Sequence, residues 1–507
     1  MLTRSRLLLV SACFLVLIPL WVGIFLPSQR LQPDGLDELA RIEASEFPLS
    51  PKHPATEASL WLGMSALRSL GFAGKAIRPV QLWNSVWLSL ALAGLLVFAR
   101  AWRAPSRLAA FAVLPFLVVS LHLAADPFLA YWPPGLAAFC WALVLARAEP
   151  DRGRFAALAG LLVAMVFFNP ILFLALPLPA FFYAWGSTPW RARLKRLGVL
   201  LLLPALSWWV FLLATGAGRS ADQPFGATRA FFGTFTPEMV GEGASSLLGA
   251  ALVPETELVF YQPAHGATLH RVAAVLVVAI FAFTLGALLR ARRRARSWPW
   301  LVSALLATVV IAWWAPLQRF FYLLPIWQLV AAWLDDGELG ATSEVSEPQG
   351  LRAVLATALP WLLVVVLASV NLTYYLAPVQ KPDPRRAWIE ACAAKFEPAD
   401  RLFLPLFGDF TFKYFGGIDT TSLLGVYRHR AAGRSTLEEL AEMLAERQQA
   451  GGKIYFQVPK AGQRWVPQRV GERVELDYRE EDVLTRFVWG QEVDCGPARF
   501  RRLLEVR

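Results

Sequence analysis

The stretch Pro33–Pro54, PDGLDELARIEASEFPLSPKHP, concentrates groups that do chemistry. Asp37 and Glu38 form an adjacent acid pair, and Lys52, His53 and Pro54 follow. A carboxylate can act as a general base, worth about 10²–10⁴-fold in rate. Other polar residues stand where apolar runs end: Asp126 before Pro127, Asn169 before Pro170, and Arg319 after Gln318. Ionisable groups at membrane depth are costly and are functional candidates by default. Each also has a plain structural use. Asp34-x-x-Asp37 and Asp126-Pro127 suit helix N-termini, Arg319 can snorkel to a surface, and Asn169-Pro170 is a turn signal. His53 is also an ordinary loop residue. No zinc or redox motif is visible, since no CxxC occurs, and His265 and His270, five apart in a loop, are only a weak metal signal.

These residues hang on an apolar frame. Of the 507 residues 56% are apolar and 17% charged, with 21 Trp and 34 Phe, far from the balance of a soluble domain. About 20 apolar helical residues cross a hydrocarbon layer of ~30 Å. The pattern predicts eleven spans: about Leu7–Leu26, Gln81–Ala99, Leu108–Ala125, Phe128–Ala146, a short pair within Phe155–Trp185 hinged at Asn169, then Leu197–Thr215, Val272–Leu289, Trp298–Ala315, Phe320–Leu334 and Leu351–Tyr375. Met1–Leu26 is similar to a signal peptide, but its apolar run has no small-residue cleavage site and reads as a retained span. The net charge of +11 resides largely in short Arg-rich loops, the mark of membrane orientation and not of nucleic-acid binding. With the N-terminus cytoplasmic, those loops face the cytoplasm. The loop 27–80, the hinges at Asp126, Asn169 and Arg319, the polar loop 216–271 and the C-terminal domain then share the outer face. In the first outer loop, Leu36–Phe47 and Pro54–Leu70 read as short helices, the second apolar on one side and suited to the membrane interface.

From Pro384 the pattern is that of a soluble domain. Helices are expected at Arg385–Phe396, Ser435–Gln449 and Glu480–Trp489, and strands at Arg401–Leu406, Thr421–Val426, Lys453–Val458 and Arg499–Val506. Ser435 with Glu438 makes a capping box. Cys392 and Cys495 share this domain and can pair if it lies outside the cell membrane. No Gly-rich phosphate loop follows a strand.

The order and sidedness of LDELARIEAS (36–45), PKHPATEASLWL (51–62), AADPFLAYWP (124–133) and QRFFYLLPIW (318–327) resemble the GT-C superfamily of membrane glycosyltransferases, in particular the protein O-mannosyltransferase and lipid A aminoarabinose transferase group. The likeness covers roughly residues 1–375 in topology. It implies that Asp37 is the catalytic base with Glu38 its neighbour, that Asp126 is the second acid, and that Arg319 handles a lipid-linked phosphate. Lys52, His53 and Asn169 are candidates for substrate and phosphate binding by their place beside these residues and hinges, outside what the likeness implies. Asp34 competes for the first acid position, and neither the loop after the seventh span nor the C-terminal domain is placed by the likeness.

The expected architecture is therefore a polytopic α-helical membrane protein of about eleven transmembrane helices with outer-face interface helices (1–380), followed by an extracytoplasmic α/β domain (381–507). The expected activity is inverting transfer of a hexose or pentose from a polyprenyl-phosphate-linked donor to a lipid, glycan or protein acceptor, outside a bacterial inner membrane. No cofactor is fixed by the sequence, and a divalent cation is left open. A lipid flippase or transporter is the first rival, but it predicts charges within the spans. An inactive scaffold presenting its C-terminal domain is the second.

Overall fold

In the computed structural model the described residues are 4–27, 53–103, 105–117, 130–147, 151–184, 189–215, 237–252, 297–314, 319–335, 351–381, 384–404, 412–423, 433–449, 452–458, 480–496 and 498–506, with isolated residues besides, Leu39–Ala40 and Ile42–Glu43 among them. The chain forms two compact units. One comprises Met1–Gln29, Phe47–Gly216 and Thr234–Lys381, the other Arg30–Glu46, Ala217–Gly233 and Pro382–Arg507.

The first unit is helical: α1 (Arg4–Val16), α2 (Ile18–Phe25), α3 (Pro54–Ser69), α4 (Ile77–Ala99), α5 (Pro105–Leu117), α6 (Trp132–Arg147), α7 (Arg152–Phe168), α8 (Pro177–Ala184), α9 (Trp190–Ala214), α10 (Pro237–Leu252), α11 (Ser297–Trp314), α12 (Leu323–Asp335) and α13 (Leu351–Val370). Among the described residues, Arg4–Phe25, Ile77–Ala99 and Trp190–Ala214 are long and apolar enough to cross a membrane. Pro170–Ala184, Trp298–Trp313, Leu323–Ala332 and Pro360–Thr373 are shorter apolar helices. The expected span Val272–Leu289 lies almost wholly outside the described residues. Exposed Phe25, Leu202, Leu206, Trp209 and Val210 suit lipid, since soluble surfaces rarely carry such dense apolar patches.

Between helices in lipid, close approach and hydrogen bonds replace the hydrophobic drive. A Cβ on Gly23 would fall 1.7 Å from Ser85 Oγ, so α2 lies on α4 only because residue 23 is glycine. Arg78 donates to the carbonyls of Gly23 (2.7 Å) and Ile24 (2.6 Å), satisfying the bare carbonyls at the end of α2. Leu136, Phe139 and Leu143 of α6 are fully buried in a common core with Leu88, Leu92 and Leu95 of α4. Arg147, in the last turn of α6, pairs with Asp335 at the end of α12. Trp300 Nε1 donates to the same carboxylate at 3.0 Å.

Some boundaries differ from the sequence expectation. The helix expected from Leu197 starts at Trp190, taking in Arg191, Arg193, Lys195 and Arg196. These are good helix formers whose long stems carry the charge away from lipid. The loop 216–271, expected to be only polar connection, contains α10. That helix comes so close to its neighbours that a Cβ on Gly243 would meet Ala312 Cβ at 2.7 Å and Tyr322 Oη at 2.9 Å. Beyond α13 the backbone widens into a π-helical turn, Asn371–Leu376.

The second unit carries a five-stranded sheet of order β2-β1-β3-β7-β6, with β1 Arg401–Leu404, β2 Asp419–Ser422, β3 Ile454–Val458, β6 Phe487–Asp494 and β7 Arg499–Val506. Strand β1 runs parallel to β2 and β3, while β7 is antiparallel to β3 and β6. A small ladder, β4 (Arg469–Val470) with β5 (Val474–Glu475), is separate. Helices α14 (Pro384–Ala393), α15 (Thr436–Gln449) and α16 (Glu480–Arg486) complete the unit. The capping box at α15 forms in both directions. Ser435 N–H donates to Glu438 Oε2 (2.8 Å), and Glu438 N–H donates to Ser435 Oγ (3.3 Å). Cys392 and Cys495 are joined as a disulfide, which settles the pairing that the sequence left open.

Two expectations need correction here. The strand expected at Thr421–Val426 is Asp419–Ser422, in register with β1 from Arg401↔Asp419 to Leu404↔Ser422; pairing with a neighbour, not local apolarity, sets the limits. The helix expected over Glu480–Trp489 stops at Arg486, and Phe487–Asp494 is a strand. Phe487, Val488 and Trp489 favour strands through packing on a sheet face, and Phe487 stacks on Phe456 of β3 with centroids 5.7 Å apart.

Candidate active site

Asp37, Glu38, Lys52 and Asp126 lie outside the described residues. Arg319 opens the 3₁₀ turn Arg319–Tyr322, and its side chain is also outside them. The remaining two candidates, His53 and Asn169, are brought into one neighbourhood of the first unit.

His53 is the cap residue of α3, which starts on Pro54 as the sequence predicts and ends with Gly71 at φ +90°. Its imidazole stacks flat on Tyr131, centroids 3.8 Å apart and planes within 2°. Tyr131 immediately precedes α6. One turn into α3, Thr56 Oγ1 donates to the carbonyl of Phe168 at 3.2 Å. That carbonyl is among the last four of α7, which have no partner within their own helix. The bond therefore ties the start of α3 to the hinge at Asn169.

Asn169 ends α7 and starts the turn Pro170–Ala175, where its Oδ1 accepts from Ile171 N–H at 3.2 Å. The hinge expected at Asn169-Pro170 is present. α6 approaches the hinge through Gly135, where a Cβ would fall 2.5 Å from Leu172 Cδ1 and 3.6 Å from Asn169 Cβ. Asn169 is 2% exposed, and its Nδ2 has no hydrogen-bond partner among the described residues. The same holds for Nε1 of Trp132, the fully buried first residue of α6. A buried donor left unpaired costs roughly 1–3 kcal/mol, so each of these two calls for an acceptor beyond the described residues. Trp87 and Phe168 line the same region, centroids 5.7 Å apart.

Sequence reasoning missed Thr56, Glu57, Tyr131 and Trp132. Glu57 is a carboxylate at 1% exposure in the first turn of α3, where the helix dipole favours negative charge. Its signal was visible: an acid within the apolar pattern of Pro54–Leu70. The burial of Thr56 and Trp132 has no such signal, because it follows from the crossing of α3, α6 and α7.

No family model matches the chain, and no curated protein matches it in sequence. Solved structures do match in fold. ArnT from Cupriavidus metallidurans, in a structure bound to undecaprenyl phosphate, superposes with a TM-score of 0.50 at 12% identity, over 89% of this chain and 92% of that one. The archaeal oligosaccharyltransferase AglB from Archaeoglobus fulgidus, in complex with an inhibitory peptide and a dolichol-phosphate, matches with a TM-score of 0.47 at 13% identity, over 90% of this chain and 70% of that one. At this identity the match shows the fold: over 89% of its length the chain has the fold of ArnT.

Proposed function

We propose that this chain is an inverting glycosyltransferase that moves a sugar from a polyprenyl-phosphate-linked donor to a lipid, glycan or protein acceptor on the outer face of the cell's inner membrane. The observation that carries the reading is the fold match along 89% of the chain to a structure bound to undecaprenyl phosphate. The buried donors Asn169 Nδ2 and Trp132 Nε1 support it, because a phosphate or a sugar hydroxyl offers the oxygen lone pairs they lack.

The leaving group of such a donor is a phosphate, so the enzyme's tasks are to remove the acceptor's proton and to steady the departing charge. Asp37 takes the proton, with Glu38 beside it in sequence. Asp126 orients the acceptor or a partner cation. Arg319 and Lys52 neutralise the phosphate, Arg319 through its planar fork. His53, held flat on Tyr131, and Asn169 complete donor binding. A single in-line displacement inverts the sugar carbon and leaves the polyprenyl phosphate. The two acids therefore need not both reach that carbon, unlike the pair of a glycoside hydrolase.

Asp37→Asn is the direct test. Transfer of sugar from a polyprenyl-phosphate donor is expected to fall about 10²–10⁴-fold. A normally folded and expressed variant that keeps full transfer refutes Asp37 as the base.

A further inference from the structure

The segment that bears the proposed base is built into the C-terminal α/β unit. Arg30–Glu46 and Pro382–Arg507 belong to the same compact unit. Within it, Tyr414 Oη donates a 2.7 Å hydrogen bond to Glu43 Oε1 across 371 residues of sequence. Leu39 and Ile42, three residues apart and so on one helical face, are each 2% exposed.

Tyr414 stands on a rigid platform. It lies in a π-helical turn, Phe412–Gly416, a backbone insertion that recurs at functional sites. Phe412 packs edge-on against Trp388 at 5.3 Å and Phe500 at 5.8 Å. Gly416 approaches α14 so closely that a Cβ there would fall 2.7 Å from Ala393 Cβ. The Arg386 guanidinium covers Phe415 at 5.3 Å. α14 is bound to the sheet covalently through Cys392–Cys495, and Trp388 Nε1 donates to the Cys495 carbonyl. An unbroken series of contacts thus runs from the sheet through the disulfide, α14 and the π-helical turn to Glu43.

We propose that Tyr414 and Glu43 are positioning residues, through which the α/β unit holds the Asp37–Glu38 segment for the transfer reaction. The proposal rests on Asp37 being the base. Asp37 stands two residues before Leu39, so their Cα atoms lie within about 7 Å of each other. Fixing Leu39–Glu43 therefore restricts where the carboxylate can be. A hydroxyl donating to a carboxylate makes one of the stronger hydrogen bonds, suited to holding a short segment in place.

The test uses the full-length protein in membranes, with mixed undecaprenyl-phosphate sugars as donors. Tyr414→Phe keeps the ring and removes the donor hydroxyl. Its kcat is expected to fall about 10- to 100-fold, the scale of a misplaced reacting group, with the donor KM changed less than about 2-fold. Amide hydrogen exchange over residues 36–46 is expected to rise, and Glu43→Gln/Tyr414→Phe should be no slower than the slower single variant. Unchanged melting and an intact Cys392–Cys495 bond establish that the unit is folded. If Tyr414→Phe unfolds, Glu43→Gln alone carries the same two readouts. Wild-type kcat or unchanged exchange in the variant, beside an inactive Asp37→Asn, overturns the proposal and leaves the glycosyltransferase reading standing. Full activity in Asp37→Asn overturns the base assignment and the proposal with it.

Discussion

Breaking the bond between Cys392 and Cys495 should loosen the α/β unit by a calculable amount. The two cysteines are 103 residues apart, and loop-closure entropy for a loop of that size is about 4.7 kcal/mol at 25 °C. Residual structure in the unfolded chain lowers the realised value, so roughly 3–5 kcal/mol is expected. Both sulfurs are buried, so Cys392→Ala/Cys495→Ala also leaves small voids. Chemical reduction of the unchanged protein separates the two effects, because it opens the bond and keeps the atoms. For a domain of 150–250 residues each kcal/mol shifts the melting temperature by about 2–4 °C, and the unit should melt roughly 6–20 °C lower when reduced. The assay is proteolysis of the purified full-length protein along a temperature series, following fragments from Pro382–Arg507. A reduced protein that melts within about 2 °C of the oxidised one refutes the reasoning. It would mean that the contacts of α14 with the sheet, chiefly Trp388 and Phe412, already supply the constraint.

On the proposed orientation the same disulfide is oxidised in growing cells, since thiols of cytoplasmic domains stay reduced; alkylation with a maleimide before and after reduction reads this, and free thiols in intact cells refute the orientation. Gly23→Ala should destabilise the first unit by about 1–3 kcal/mol, because the new methyl collides with Ser85 Oγ and Cβ; thermal unfolding in detergent measures it, and Ser85→Gly should restore part of the loss. Asn169→Leu should raise the donor KM about 10-fold, equivalent to about 1.4 kcal/mol, with a smaller effect on kcat; an unchanged KM removes Asn169 from donor binding. In the α/β unit, the hydrogen bond from Lys453 holds the Glu397 carboxyl below its ordinary range, and that same bond raises Lys453 above its own. The pair therefore stabilises fully between the two ordinary values. Its contribution is lost as pH falls through Glu397's lowered value, or rises through Lys453's raised one. Glu397→Gln should flatten the acid limb of a urea-midpoint against pH curve, and an unaltered limb speaks against the pair.

The sequence by itself determined the local features of this protein. Pro54 and Gly71 bound α3 because proline suits a first helical turn and glycine a left-handed cap. Ser435 and Glu438 start α15 because each satisfies the other's backbone N–H. Apolar run length marked Arg4–Phe25, Ile77–Ala99 and Trp190–Ala214 as helices long enough to cross a membrane, and Asn169-Pro170 marked the hinge. All of these are short-range effects, settled within a few residues. The tertiary structure decided what depends on partners distant in sequence. β2 took its limits from pairing with β1, and the strand from Phe487 formed because β7 lay beside it, with Phe487 opposite Val506. Cys392 met Cys495 because α14 folds onto the end of β6. The burial of Thr56, Glu57 and Trp132 came from three helices crossing, which no local pattern encodes. The same holds for the link from Tyr414 to Glu43: neither residue has a local reason to meet the other, and only the folding of the second unit, to which Arg30–Glu46 and Pro382–Arg507 both belong, makes them neighbours.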